Sequence, residues 1–198
     1  MLPARHISTV SGALIALLLV AAPGRAQTPA IYEATAHGRI LACFGEAYAL
    51  VELIDVATQN LALINVELRR TPPRPAFAAG LVLTGTQIDQ KQSLEIAERL
   101  VECTEGAARR AAPDATASYT ATAVREEIDV ALMMAEGFTS DYQMMAARLM
   151  PFFGESTDPA AKLAPIRGIG RFGEQLRTLL QQSRTAIDMV MTRSRVAP

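Results

Sequence analysis

Methionine, cysteine and histidine are the side chains in this sequence whose types and spacing invite chemistry. Met133, Met134, Met144, Met145 and Met150 crowd one stretch, with Met189 and Met191 in another. Thioether sulfur is a soft donor suited to Cu(I), so a copper or small-molecule carrier using methionine and carboxylate side chains is one function this set suggests. Spacing works against a shared ion: residues 133 and 144, like 134 and 145, stand three helical turns apart, about 16 Å along the axis. Core filling or an adaptable apolar groove explains flexible thioethers better. On the groove reading, Met134, Phe138, Tyr142 and Met145 fall on one helical face and form a candidate partner groove.

Histidine equips the chain poorly for catalysis. His6 lies in an amino-terminal leader, which leaves His37 alone in the remainder. One imidazole removes most triads, and there is no HExxH motif. Glu33 and His37 are four apart on one helix face, where a solvated pair is the simpler reading than half a metal site. Glu46, Glu52, Asp55 and Glu67 share the first helix, but the Glu-x-x-His motif of a di-metal bundle is missing. A carboxylate-based enzyme is the third functional class, although nothing marks which two acids would serve. Gly168-Ile169-Gly170-Arg171-Phe172-Gly173 has the glycines of a phosphate loop without its GxGxxG order, its Lys-Ser/Thr or a preceding strand, and reads as a helix-entry turn. No catalytic, cofactor-binding or metal-ligating residue is assigned, and no cofactor is expected.

The two cysteines, Cys43 and Cys103, gain meaning from the leader. Arg5 and His6 precede an apolar run over Gly12–Ala22, and Pro23-Gly24-Arg25-Ala26 ends in the small residues a signal peptidase reads. The run falls short of the roughly 20 apolar residues needed to span a bilayer. Residues 1–26 are therefore expected to be a cleaved signal peptide, 27–198 a single exported helical domain, and its location periplasmic or secreted. In an oxidising compartment two thiols tend to pair, so Cys43 and Cys103 are expected to form a disulfide.

The elements that must position these residues are helical. Tryptophan is absent, aromatics make up 5%, and strand signatures are lacking. Thr28-Pro29 is a good helix start, and Ile40, Leu41, Phe44, Tyr48, Val51, Ile54, Leu61, Ile64 and Leu68 predict one stripe on a first helix to about Arg70. Gly38 and Gly45 invite a bend in it. Thr71-Pro72-Pro73-Arg74-Pro75 ends it. Ala76–Gly85 then reads as an apolar connector, and Thr86 with Asp89 as a capping box opening a second helix through Ile88, Ile96, Ala97, Leu100 and Ala107. A hairpin turning near Pro73 would bring Cys43 and Cys103 level. A third helix is predicted from about Tyr119 to Met150, an irregular segment with at most a short helix follows, and a final helix covers about Arg171–Arg193. The fold class is an all-α bundle of four or five amphipathic helices, its first hairpin stapled by the disulfide.

Without residues 1–26 the chain carries 17 basic and 20 acidic residues, a net charge near −3. That balance, with no clustered basic face, argues against nucleic acid. Leu83-Thr84-Gly85-Thr86-Gln87 resembles the LTxxQ pattern of helical periplasmic stress chaperones of the Spy type, where it opens a helix. Long amphipathic helices and sparse catalytic equipment together point to a non-enzymatic binding or interaction module, an envelope component or chaperone-like adaptor whose partner is a protein or another envelope component.

Overall fold

The computed structural model describes residues 35–154 and 157–195, with the backbone alone described over 85–89. The leader and Glu33 lie outside these residues. Four long helices make up the described chain: α1 (Ala36–Arg69), α2 (Pro75–Arg109), α3 (Ala115–Leu149) and α4 (Pro159–Ser194), with one 3-10 turn, Met150–Phe152, after α3. No strand occurs among the described residues.

Each helix starts where the backbone amides find a partner. Thr35 caps α1 through its hydroxyl, which accepts from the Gly38 amide at 2.9 Å. Asp114 accepts from Thr116 and Ala117 at the start of α3, and Asp158 from Ala160 at the start of α4. Side-chain caps of this kind satisfy amides that have no intrahelical acceptor. α2 uses Pro75 instead, whose missing N–H is no loss in a first turn.

α1 opens at Ala36 behind the extended Thr35, while the expected start at Thr28-Pro29 lies outside the described residues. Two further boundaries differ from the sequence reading. The apolar segment 76–85 is no connector but the opening turns of α2, because Ala78, Ala79 and Val82 are completely buried at helical spacing. The LTxxQ residues therefore lie within α2 and do not open it. Likewise the Pro- and Gly-rich stretch 159–170 is the first third of α4, which runs unbroken through Pro165, Gly168 and Gly170. Pro165 leaves only the Ala161 carbonyl without its helical donor, and Ala161 is exposed to water. Burial of Ile169 and Phe172 offsets that cost. Gly170 and Gly173 serve close approach: a Cβ at Gly170 would stand 3.0 Å from the Gln143 amide nitrogen, and one at Gly173 would collide with the Thr139 side chain. Nor do Gly38 and Gly45 interrupt α1.

α1 packs on α2 and α3, and α4 packs on α3 and α2, which sets α1 diagonally opposite α4. α1 and α3 run parallel. Their amino-terminal ends meet where His37 Nδ1 and Thr120 Oγ1 share a 2.7 Å hydrogen bond. The core draws one stripe from each helix: Ile40, Leu50, Ile54 and Ile64; Val82, Ala97 and Leu100; Val124, Ile128 and Leu149; Ile169, Leu176, Leu180 and Ile187. On α3, Phe138, Tyr142 and Met145 share one face as their spacing predicts, and that face is part of the core stripe. On α1 the single expected stripe does not hold, since Leu41 and Tyr48 point outward.

Cys43 and Cys103 form a disulfide between the antiparallel helices α1 and α2, with Cα atoms 5.5 Å apart. Arg99–Glu46, Arg184–Asp129 and Arg125–Asp188 ion pairs bridge neighbouring helices. All three are substantially exposed, so each contributes at most about 1 kcal/mol. At the end of the bundle that holds the α1 amino terminus, Arg193 donates to the Ala108 carbonyl at 2.7 Å and the Asp114 amide to that of Ser194 at 3.0 Å.

Candidate functional site

The four residues expected to line a groove face inward. Phe138, Tyr142 and Met145 are buried, and Met134 is half-buried against the core. Their rings and thioethers pack the bundle: Phe138 and Tyr142 stand 5.1 Å apart between ring centroids, and the Tyr142 hydroxyl donates to the Val82 carbonyl of α2 at 3.2 Å. The expected groove is thus corrected to core. Spacing of three and four put these side chains on one face, and that face is the one opposite solvent.

The methionines that reach solvent are Met133 and Met144 on α3 and Met189 on α4. Met133 and Met144 remain about 16 Å apart along their helix. Among the described residues no group of three His, Cys, Asp or Glu side chains stands close enough to hold a metal ion. Two depressions, of about 460 and 310 Å³, lie on the outer side of α4 and are shallow. The larger is lined by Ala160, Ala164, Gly170, Arg167, Arg171 and Glu174, a set without a nucleophile or a paired acid and base.

The surface is nevertheless strongly two-sided. Nine of the twelve large apolar side chains exposed among the described residues belong to α1 and α3. On α1 they form a second stripe, outside the core stripe: Leu41, Tyr48, Val56, Leu63 and Val66, stepping through the exposed Gly45, Glu52 and Gln59 at spacings of three and four. α3 repeats the device with Tyr119, Val130, Met133 and Met144, through Ala123, Glu126 and Gly137. By contrast the outer sides of α2 and α4 carry Lys91, Glu95, Glu98 and Glu102, and Arg167, Arg171, Arg177, Gln181 and Gln182. A helix apolar all round is ordinarily buried all round. α1 has this character while one side of it faces water.

The same side is acidic. Between Arg39 and Arg69, α1 contains four carboxylates and no lysine or arginine; between Arg125 and Arg148, α3 contains five and none. Glu46 and Asp129 are held by arginines of α2 and α4. Glu52, Asp55, Glu126, Glu127 and Asp141 have no cationic partner among the described residues. Their field is felt by Tyr48, whose hydroxyl bonds to Glu52. That bond and the Glu52 charge push the phenol pKa above its usual value, and desolvation and Glu127 on α3 add to it.

Both stripes extend over 26 residues, about 38 Å end to end, on parallel neighbouring helices. The two helices are neighbours, and the influence of Glu127 on Tyr48 places their outer sides close to one another. Monomeric proteins seldom concentrate exposed apolar side chains on one side without a use for them. Compared with protein-family models, curated proteins and solved structures, the chain matches none.

Proposed function

We propose that this chain is an exported, non-enzymatic interaction module that docks a protein partner on the outer face of α1 and α3. The observation that carries the reading is the asymmetry of the surface, with exposed apolar side chains concentrated on two parallel neighbours while the other two helices are polar outside. Residues 1–26 act as a cleaved leader, which delivers the bundle to the periplasm or beyond. The Cys43–Cys103 disulfide supports this location, since such bonds persist in oxidising compartments. No helix among the described residues is long and apolar enough to cross a membrane.

Met133 stands near the middle of the α3 stripe and Leu63 toward the carboxy-terminal end of the α1 stripe, and they are 68% and 59% exposed. Changing both to glutamate should leave stability within about 0.5 kcal/mol per site, as is usual for exposed positions. In native envelope extract the wild-type chain is expected to elute in a larger complex on size exclusion, and the Leu63→Glu, Met133→Glu variant to elute alone with an unchanged melting temperature. Identical elution of both proteins would contradict the reading.

A further inference from the structure

The charge on this face narrows what it receives. We propose that its partner presents a cationic amphipathic helix, an apolar stripe flanked by lysine or arginine, laid along the seam between α1 and α3. The inference rests on the docking role argued above and adds the chemistry of the docked segment.

Geometry favours a helix. Two parallel helices with exposed residues at spacings of three and four leave a straight seam of about 38 Å, and a third helix packs into such a seam through residues of the same period. An occupant of about 25 residues would match its length. Exposed small residues, Gly45 on α1 and Gly137 on α3, leave room for larger side chains between Leu41 and Tyr48 and between Met133 and Met144. No heavy atom outside the local helical backbone lies within 4 Å of a Cβ built at either glycine.

Charge favours a cation. Glu52 and Asp55 on α1 and Glu126, Glu127 and Asp141 on α3 border the apolar stripes, with no lysine or arginine along the central stretch of either helix. A basic segment docked there gains from each carboxylate, and an acidic one is repelled. The same carboxylates work against an anionic lipid surface, which attracts Lys/Arg-rich faces. α4 carries the opposite bias through Lys162, Arg167, Arg171 and Arg177, so a cationic helix is also steered away from the far side of the bundle.

The test uses the purified, disulfide-bonded protein and two labelled synthetic peptides of about 20 residues, amphipathic helices of leucine with lysine or of leucine with glutamate. Fluorescence anisotropy is expected to show the lysine peptide binding at least roughly tenfold more tightly than the glutamate peptide. Reversing charge with Glu52→Lys and Glu126→Lys should remove most of that preference, and Leu63→Glu should weaken binding of the lysine peptide by a similar factor. Circular dichroism on each variant checks that the bundle is intact. Equal binding of both peptides, binding of neither, insensitivity to charge reversal, or retention on phosphatidylglycerol vesicles in place of the lysine peptide would each overturn the proposal. Should the native chain still lose its complex when Leu63 and Met133 become glutamate, the docking role stands and only the cationic helix falls. If neither peptide binds and the complex is also insensitive to those changes, both fail.

Discussion

Replacing Cys43 and Cys103 together by alanine is expected to lower the unfolding free energy by about 4 kcal/mol, the chain-entropy value for a closed loop of this size. The disulfide spans 60 residues and so restrains much of the unfolded chain. For a domain of this length the melting temperature should fall by roughly 8–16 °C. Far-UV circular dichroism at 25 °C should hardly change, because the core stripes of α1 and α2 on either side of the bridge remain. Thermal melts of the oxidised protein and the double-alanine variant measure this directly. A shift under about 2 °C would mean that the bridge does not restrain the unfolded state.

Tyr142→Ala should cost about as much, on the order of 3–5 kcal/mol, the range for deleting a large buried aromatic. Tyr142 is 1% exposed, packs against Phe138, and ties α3 to its diagonal neighbour α2 through the Val82 carbonyl. Tyr142→Phe separates the two contributions. It keeps the ring and removes the neutral hydrogen bond to the Val82 carbonyl, for a loss of about 1 kcal/mol. Urea titration should show the midpoint falling in the order wild type, phenylalanine, alanine, with the slope preserved. If the alanine variant unfolded at the wild-type midpoint, Tyr142 would be a surface residue after all, and the groove expected from sequence would have to be reconsidered.

Much of the scaffold is legible in the sequence because a core stripe obeys one period. Val124, Ile128, Ala135, Phe138 and Leu149 on α3, and Phe172, Leu176, Leu180 and Ile187 on α4, repeat at three and four and are buried together. The cysteines were legible through compartment and through their equal distances from Pro73. What misled were local breaking signals overridden by packing. Pro165, Gly168 and Gly170 read as irregular chain, yet α4 runs through them and closes against Gln143 and Thr139 at Gly170 and Gly173, where glycine allows close contact. The segment 76–85 looked too apolar for a linker because it is the buried start of a helix.

The candidate face was the hardest feature to see. In α1 the inner stripe, Ile40, Leu50, Ile54 and Ile64, and the outer stripe, Leu41, Tyr48, Val56 and Leu63, interleave in the same residues. Periodicity merges two opposed stripes into one broad signal, and a single stripe read from it mixes core with surface. One clue was available: a 29-residue stretch, 40–68, with apolar residues on every side among its four carboxylates and no lysine or arginine, is unusual for a helix at the edge of a bundle. On the methionine-rich helix the residues expected to line a groove are the inner ones: Met133 and Met144 lie outside where Met134 and Met145 turn inward.

Site-specific photo-crosslinking in the native envelope tests the docking role most directly. A photoreactive residue placed at Leu63 or Met133 on the apolar face is compared with one at Glu98 or Gln182, exposed positions on the outer sides of α2 and α4. The account predicts a discrete adduct from Leu63 and from Met133, none from Glu98 or Gln182, and loss of the Leu63 adduct when Met133 is changed to glutamate. Adducts of equal yield from all four positions, or none from Leu63 and Met133, would contradict it.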